Sequence, residues 1–592
     1  MLKTPTARDF SGGLNLADSE LNLSSKYARE LTNLYVDIDG SLWLRQGTQL
    51  FADIAPLSDY NISNTHYFVQ YIIVVNTRGE IFAVDGQGNI AKIWDSIIAA
   101  AKRPGLTIWA GAEHVTFEEF KGALIISNGQ DKPLEITADL TVDYLADVTG
   151  SNINVPIGLI MESFANHLFI ASGYMLNVSE RNAAGTWPGD PGVQFTNSFD
   201  MRSYVSVGDT EIIALHAFKN FLLVCFREVI VPIQIIEDAT ATPKLNINVS
   251  QDSVINNYGA FSYRTAQDLG EAIYNSDIVG VSELSLSSFT KILSPDRPSR
   301  FIDPVLQPAI NALSAGALLT DTFSVYDRRL GTYALFIPNA AAQYQTESIG
   351  YSYRTLEKFK ISAWCVIRGW NWHGACRSSE GNVFFNRNNC TKIFVKGDRV
   401  SNPLWADFIG EQETFSDGTY FTDNTGFGPV ANVNDSGLPI EWAWELPWAD
   451  FKQRMLTKSL RYIVLDTEGD QPIHCEVFVD DIYYARNLIG ETFSDGTTFT
   501  DGTGWTPYTT VPRTPALVMD YIGRDAGGYG IQQYGNSPYG GGNNTRLRTL
   551  TLMPTKFTTM KQRYSGRAKG PLRFVSITPA YMEGTIRRLF GG

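Results

Sequence analysis

From about Tyr67 to Lys396 the chain repeats one pattern: an aromatic residue, a short polar step, three or four apolar residues, then a turn. FKGALIISNG (Phe120–Gly129), FANHLFIASG (Phe164–Gly173) and FKNFLLVCF (Phe218–Phe226) are the clearest copies. YIIVVNTRGEIFAVD (Tyr71–Asp85), YDRRLGTYALFIPN (Tyr326–Asn339) and GNVFFNRNNCTKIFVK (Gly381–Lys396) are looser ones. The aromatics Phe120, Phe164 and Phe218 are spaced by 44 and 54 residues, and four-stranded propeller blades repeat every ~40–50 residues. An unbroken apolar run between turn signals reads as a strand buried on both faces, which blades packed face to face require. The expected fold is therefore mainly β, with a β-propeller of about six blades over 61–400 and an irregular stretch between Ile236 and Asp321. A β-sandwich with similar strands is the competing reading.

A second repeat is sharper. ETFSDGTYFTDNTGF starts at Glu413 and ETFSDGTTFTDGTGW at Glu491, an offset of 78 residues with 12 of 15 positions identical. The Asp417-Gly418 and Asp495-Gly496 pairs are hairpin signals, because glycine tolerates the positive φ of a type I′ turn. The aspartates lack the spacing of a calcium loop and its distal Glu, so a duplicated hairpin is the simpler reading. Between the copies, LRYIVLD and HCEVFVD read as paired strands of a sandwich, and LRFVSITPAYMEG from Leu572 resembles them. RDAGGYGIQQYGNSPYGGGNNTR (Arg524–Arg546) is too rich in glycine for a core element. These features divide the chain into an N-terminal arm and hairpin (1–60), the propeller (61–400), a β domain carrying the duplicated hairpins (401–523) and a terminal part (524–592). The last would join the N-terminal part in a sandwich-like platform.

Charge is uneven. The net charge is −14, yet Arg546–Gly592 holds ten Lys/Arg against Glu583 alone, leaving the first 545 residues at −23. Such an acidic body repels nucleic acid, and the basic end needs an acidic partner surface or DNA. Arg563, Arg567, Lys569, Arg573, Arg587 and Arg588 are the candidate docking residues. The apolar runs are far shorter than the ~18 residues of a spanning helix. The N-terminus lacks the apolar stretch of a signal peptide, so synthesis and retention in a cytoplasm are expected. Five scattered cysteines form no disulfide framework.

Catalytic signatures are missing. The sequence contains no Walker loop, GxSxG elbow or HExxH. His373, Cys376 and Cys390 fall short of a zinc ligand set, and the adjacent Asp480 and Asp481 would point to opposite faces of a strand. No catalytic residue, metal or cofactor is expected. A propeller enzyme whose carboxylates converge only in three dimensions would escape this search.

The most specific segment is DFSGGLNLADSELNLSSKYARELTNLYVDIDGSLWLRQGT, Asp9–Thr48. It resembles the opening of the podoviral tail nozzle family, the tail tubular protein B and tail hub group of short-tailed bacteriophages. Those proteins open with a Gly-Gly segment, an Asn near the end of a short helix, then a Gly and an Arg-x-Gly turn. Gly12, Gly13, Asn33, Gly40, Arg45 and Gly47 match, with Gln46 where a Pro is frequent. Physically, two glycines let an extended arm lie against another backbone, and Asp39-Gly40 reads as a turn between LYVDI and SLWLR. An ordinary hairpin packed on its own domain is the alternative.

The resemblance implies a structural protein of the virion tail, synthesised in the host cytoplasm. It would form a homohexameric ring below the portal and head-to-tail adaptor, retain the genome, pass it through the lumen on ejection and carry a tail fibre or tailspike, with no stable membrane insertion. The six matched residues would then be subunit or adaptor contacts. A receptor- or glycan-binding tail protein, with Trp109, Trp187, Trp370 and Trp372 as candidate sugar-facing residues, and a propeller glycosidase are the alternatives.

Overall fold

A computed structural model of the chain describes most of 2–407 and 438–479, together with 517–521 and most of 545–586. The duplicated hairpins at 413–427 and 491–505, most of the Gly/Tyr-rich segment, Asp480, Asp481, Lys569, Arg587 and Arg588 lie outside the described residues.

The repeated pattern is an inner hairpin. In FKGALIIS, Phe120 ends the first strand of a blade (Thr116–Phe120), Lys121 and Gly122 form the turn, and Ala123–Ser127 is the second strand. The same arrangement places Phe68, Phe164 and Phe218 at the ends of Ile62–Phe68, Ile160–Phe164 and Ala214–Phe218. Lys121, Ala165 and Lys219 all take positive φ, as the type I′ geometry demands.

The apolar run is continuous because each second strand serves two neighbours. Ile73 and Val75 of blade 1 pack with Leu124 and Ile126 of blade 2, while Ile72 and Val74 pack toward the last blade. Ile125 packs with Leu168 and Ile170 of blade 3, and Phe169 of that blade packs with Leu222 and Val224 of blade 4. Leu223 and Cys225 continue into blade 5. All of these side chains are buried, so both faces of the pleat are core.

Among the described residues the ring has seven blades of four strands each, with Ile255–Asn256 as an additional strand pairing in blade 4. Blades 1 to 4 begin with the strands named above. Blade 5 runs from Gln267–Asp268 to Leu293–Asp296, and blade 6 from Phe323–Asp327 to Ile361–Ile367. Blade 7 comprises Trp372–Arg377, Val383–Arg387, Lys392–Lys396 and, as its outer strand, Thr48–Asp53 from the N-terminal segment. The pattern count of about six units falls short because blade 5 lies in the stretch read as irregular. Its strands AIYNS and VSELSL carry polar residues and hide the apolar signal. Helices Asp303–Asn311 and Ala315–Asp321 follow it.

Strand Thr48–Asp53 pairs antiparallel with Lys392–Lys396 and seals the ring. A residue span expected to serve only the platform arm thus closes the propeller, so the 60/61 division falls inside a shared structure.

The second body is a β-sandwich. One sheet contains Thr545–Phe557, Leu456–Glu468, Arg573–Ile586, Leu42–Leu44, Leu34–Val36 and the short Leu2–Lys3. The other contains Leu438–Glu445, Met560–Ala568, Ile473–Val479 and Leu517–Tyr521. LRYIVLD and HCEVFVD therefore do not pair; they lie in opposite sheets, and the chain crosses between them at Gly469. At that corner φ is +90° and a Cβ would sit 1.8 Å from the Pro571 carbonyl oxygen. Trp442 and Trp444 of one sheet meet Phe574 of the other at 5.2 and 5.3 Å between ring centroids, contacts worth about 0.5–1.5 kcal/mol each beyond area burial.

One inner turn breaks the local rule. Val69 is β-branched, 53% exposed, and held at φ +58°, where a left-handed conformation costs an L-residue about 1–2 kcal/mol. Val69→Asn is expected to stabilise the protein by about 1 kcal/mol, read as a higher midpoint in chemical unfolding. An unchanged or lower midpoint would show that the Val69 side chain makes a compensating contact.

Candidate functional site

Two places concentrate functional-looking groups: the joint between the two bodies, and the channel on the propeller axis.

The joint is built from the six matched residues. Asn33 sits at φ +58° with its amide bonded to the Val366 carbonyl of blade 6. Its Oδ1 accepts from Arg45 Nε and from the Arg368 amide, each at 2.9 Å, and its Nδ2 donates to the Glu441 carbonyl of the sandwich at 2.7 Å. Arg45 is fully buried. It donates to the carbonyls of Gln46 and Arg368 and lies 4.6 Å over the Trp370 ring. Gly13, at φ +61°, lies so close to blade 6 that a Cβ would be 2.8 Å from Ala363 Cα, and one on Gly12 would meet the Tyr27 ring. Gly40 makes the 34–44 turn against Asp9, while Gly47 bonds Leu404 and Gly397. Within the chain these residues make contacts between the N-terminal segment, blade 6 and the sandwich. The segment before Asn33 is the strand Glu30–Thr32 and not the end of a short helix, because it bridges Leu438–Glu445 to blade 6.

Two of the described basic candidates, Arg563 and Arg573, are paired within the chain. Arg563 pairs with Glu30 at 2.7 Å and Glu476 at 3.1 Å. Arg573 pairs with Glu468 at 2.9 Å and with Asp39, and covers the Trp43 ring. Each links a C-terminal strand to an acid of the N-terminal segment (Glu30 or Asp39) and to one on the adjacent strand of its own sheet (Glu476 or Glu468), so neither is a free docking cation. Arg567 is the one described docking candidate that is largely exposed, and it lies 2.7 Å from the equally exposed Glu441.

The propeller axis holds a chamber of about 290 Å³ lined by residues of all seven inner strands, from Asn64 and Thr65 of blade 1 to Ala375 of blade 7. The repeat places four titratable side chains at one height. His66, Glu118, Glu162 and His216 each stand two residues before the inner aromatic, in register with Ile73, Ile125, Phe169 and Leu223. Glu118 Oε1 accepts the Ser163 amide of blade 3 at 2.9 Å, and Glu162 Oε1 accepts the Ala217 amide of blade 4 at 3.1 Å. Each carboxyl thus satisfies a backbone donor on the free inner edge of the next blade, where no further strand can pair. His66 stacks on Phe117 and meets Glu119 at 3.2 Å.

Burial dominates the electrostatics. It raises the Glu118 carboxyl, and it raises Glu162 well above the carboxylate range, with the Glu118 charge adding to the effect. Burial pushes His216 down to about 4 and His373, beside Arg264 and His114, down to about 3, so both histidines are neutral at pH 7. Among the described residues no cation pairs with either glutamate, and no three His, Cys, Asp or Glu side chains are placed to hold a metal ion.

Sequence reasoning missed this row. The usable signal was the position two before each repeat aromatic, which reads His, Glu, Glu, His across four blades. The tryptophans singled out for sugar binding are buried: Trp370 and Trp372 stack at 4.3 Å inside the core, and Trp109 and Trp187 fill gaps between blades. The five cysteines are free thiols, four of them buried. No described helix is long and apolar enough to cross a membrane.

No family model and no curated protein matches the chain. Among solved structures, it is similar to PorZ of the Porphyromonas gingivalis type-IX secretion system, with 13% identity and TM-score 0.33 over 68% of this chain. The match spans 45% of the PorZ chain. BamB from Moraxella catarrhalis matches at 9% identity and TM-score 0.33, over 68% of this chain and 99% of that one. The Pan2 WD40 domain of Neurospora crassa matches at 9% identity and TM-score 0.33, over 61% and 97%. At that level of agreement the likeness carries no functional argument, and the blade count and ring closure rest on the sheets themselves.

Proposed function

We propose that this chain is a structural, non-enzymatic subunit of a short bacteriophage tail, the nozzle. Six copies would form a ring below the portal and head-to-tail adaptor, with a tail fibre or tailspike attached at the side and the genome passing through the common lumen. The observation that carries this reading is the Asp9–Thr48 segment. The residues through which it resembles the nozzle family are the ones that lock sandwich and propeller together. A ring subunit that retains packaged DNA must transmit load between its bodies without bending, and a joint of buried, mutually satisfied polar groups is suited to that. The axial chamber cannot pass a duplex whose major groove alone is about 12 Å wide, so a DNA path would run between copies. The net charge of −23 over the first 545 residues favours sliding over binding along such a path.

Two features weigh against the alternatives. Glycoside hydrolysis needs two carboxyls whose environments push them apart, one acid and one ionised, whereas Glu118 and Glu162 are both pushed toward the neutral form. The tryptophans proposed for glycan contact are inside the core. The test is a cryo-EM reconstruction of the native particle that contains the chain. A sixfold ring below the adaptor is expected; a trimer or a peripheral density reaching toward the host would replace this reading with a receptor-binding one.

A further inference from the structure

The seam between the first and last blades is held at its inner edge as well as its outer one. The inner strands of blades 1 and 7 each contain one extra residue. Ser63 falls between Ile62 and Asn64, and His373 between Trp372 and Gly374, where the pairing register shifts. The inner hairpins of blades 2 to 6 pair without a shift. A bulge takes its extra residue out of the ladder and re-aims the chain. Both bulges lie where one side chain, Arg264, arrives from the segment leading into blade 5.

Arg264 reaches across the inner edges of several blades. Its carbonyl accepts the Ser324 amide of blade 6 at 2.9 Å, and its guanidinium lies 5.3 Å over the Phe323 ring. Nη1 donates to the Thr320 carbonyl at 2.9 Å. Nη2 donates to the His373 carbonyl of blade 7 at 2.9 Å and to Asn64 Oδ1 of blade 1 at 3.4 Å. Asn64 Nδ2 in turn donates to the Val115 carbonyl, at the entry to blade 2, at 2.8 Å. Gly374 makes room for this: a Cβ there would lie 2.8 Å from Arg264 Nη2 and 3.0 Å from Asn64 Oδ1. Among the described residues no carboxylate is within ion-pair distance of the guanidinium, and burial lowers its pKa. A buried cation without a counter-ion depends on having its donors met, so these neutral acceptors fix where Arg264 sits.

We propose that Arg264 is an inner latch on ring closure, tying the edges of blades 7 and 1 to blades 5 and 6. It works opposite the outer closure, in which Thr48–Asp53 completes blade 7 and its chain runs on into blade 1. A guanidinium that merely filled space would not need the two strands it reaches to be the two that are bulged. Opening the seam requires both closures to let go, so weakening either one raises the fraction of open rings.

Hydrogen exchange of the full chain, read by mass spectrometry, tests this with Arg264→Met, which keeps a long side chain and removes the donors. Exchange in Ile62–Phe68, Trp372–Arg377 and Thr48–Asp53 is expected to speed up about tenfold or more. Ala214–Phe218 and Phe221–Cys225 of blade 4 should stay within about twofold of wild type. Leu222→Ala, a core truncation between blades 3 and 4, is the control and should give the reverse pattern. Gly374→Ala keeps the arginine but crowds its acceptors, and should reproduce the seam pattern. If Arg264→Met fails to fold, judged by its melting profile, Arg264→Lys and Gly374→Ala decide, since one ammonium cannot span the same acceptors. Seam exchange unchanged in the Arg264 variant, or acceleration spread equally over all seven blades, would overturn the proposal. The outcome is independent of whether the particle shows a sixfold ring.

Discussion

Arg45→Ala is expected to cost the protein about 3–5 kcal/mol and to uncouple its two bodies. The guanidinium is fully buried and places three nitrogens on three acceptors: Asn33 Oδ1 at 2.9 Å, the Gln46 carbonyl at 3.1 Å and the Arg368 carbonyl at 3.0 Å. Alanine would strip these acceptors and leave a cavity against Trp370. Asn33 is the hub through which blade 6, the sandwich strand Leu438–Glu445 and the N-terminal hairpin meet, so its loosening reaches both bodies. Arg45→Lys should recover little, because a single ammonium cannot span a planar set of three acceptors. Urea unfolding followed by tryptophan fluorescence should show an earlier transition, or two where wild type has one. A loss under about 1 kcal/mol would mean that the joint is held by its glycine contacts and not by this network.

The second large effect concerns ring closure. Ala52 lies on the outer strand of blade 7, opposite Ile393, buried with Ile54, Ile62, Ile72, Val74 and Phe384 where the first and last blades meet. Ala52→Asp places an unpaired carboxylate in that seam, at a cost of roughly 3 kcal/mol or more. A propeller is a closed cycle, so opening one seam exposes strand edges elsewhere in the ring. Hydrogen exchange should therefore speed up at Thr48–Asp53 and Lys392–Lys396 and also in Ile62–Phe68 of blade 1. Exchange confined to the substituted strand would show that the remaining blades hold together without the closure.

The inner hairpins explain why so much of the fold could be read in advance. A strand buried on both faces has no polar alternation to disguise it, so FLLVC and ALIIS announce themselves, and the aromatic and turn before each fix the register. Blade 5 escaped because it mixes serine, asparagine and glutamate into the same strand positions. LRYIVLD and HCEVFVD were legible as strands, since strand character is local. Their partners were not, since pairing here joins residues about a hundred apart in sequence, as Arg573 and Glu468 are.

The functional residues divide in the same way. Gly12, Gly13, Asn33, Gly40, Arg45 and Gly47 are singled out in the sequence by the resemblance to the nozzle family, and residue type explains only part of what they do here, the positive φ of Gly13, Asn33 and Gly40 and the donor fork of Arg45. Which contacts they make within the chain, and that Arg563 and Arg573 are matched by Glu30, Glu476, Asp39 and Glu468, was decided by which distant groups the two sheets bring alongside. The same holds for the axial row. Local patterning sets His66, Glu118, Glu162 and His216 at one register of four hairpins, but only ring closure turns four separate surface positions into one desolvated chamber. Burial, which shifts Glu118, Glu162 and His216, and the carboxylate repulsion that adds to it at Glu162 are properties of the assembled ring and of no single segment.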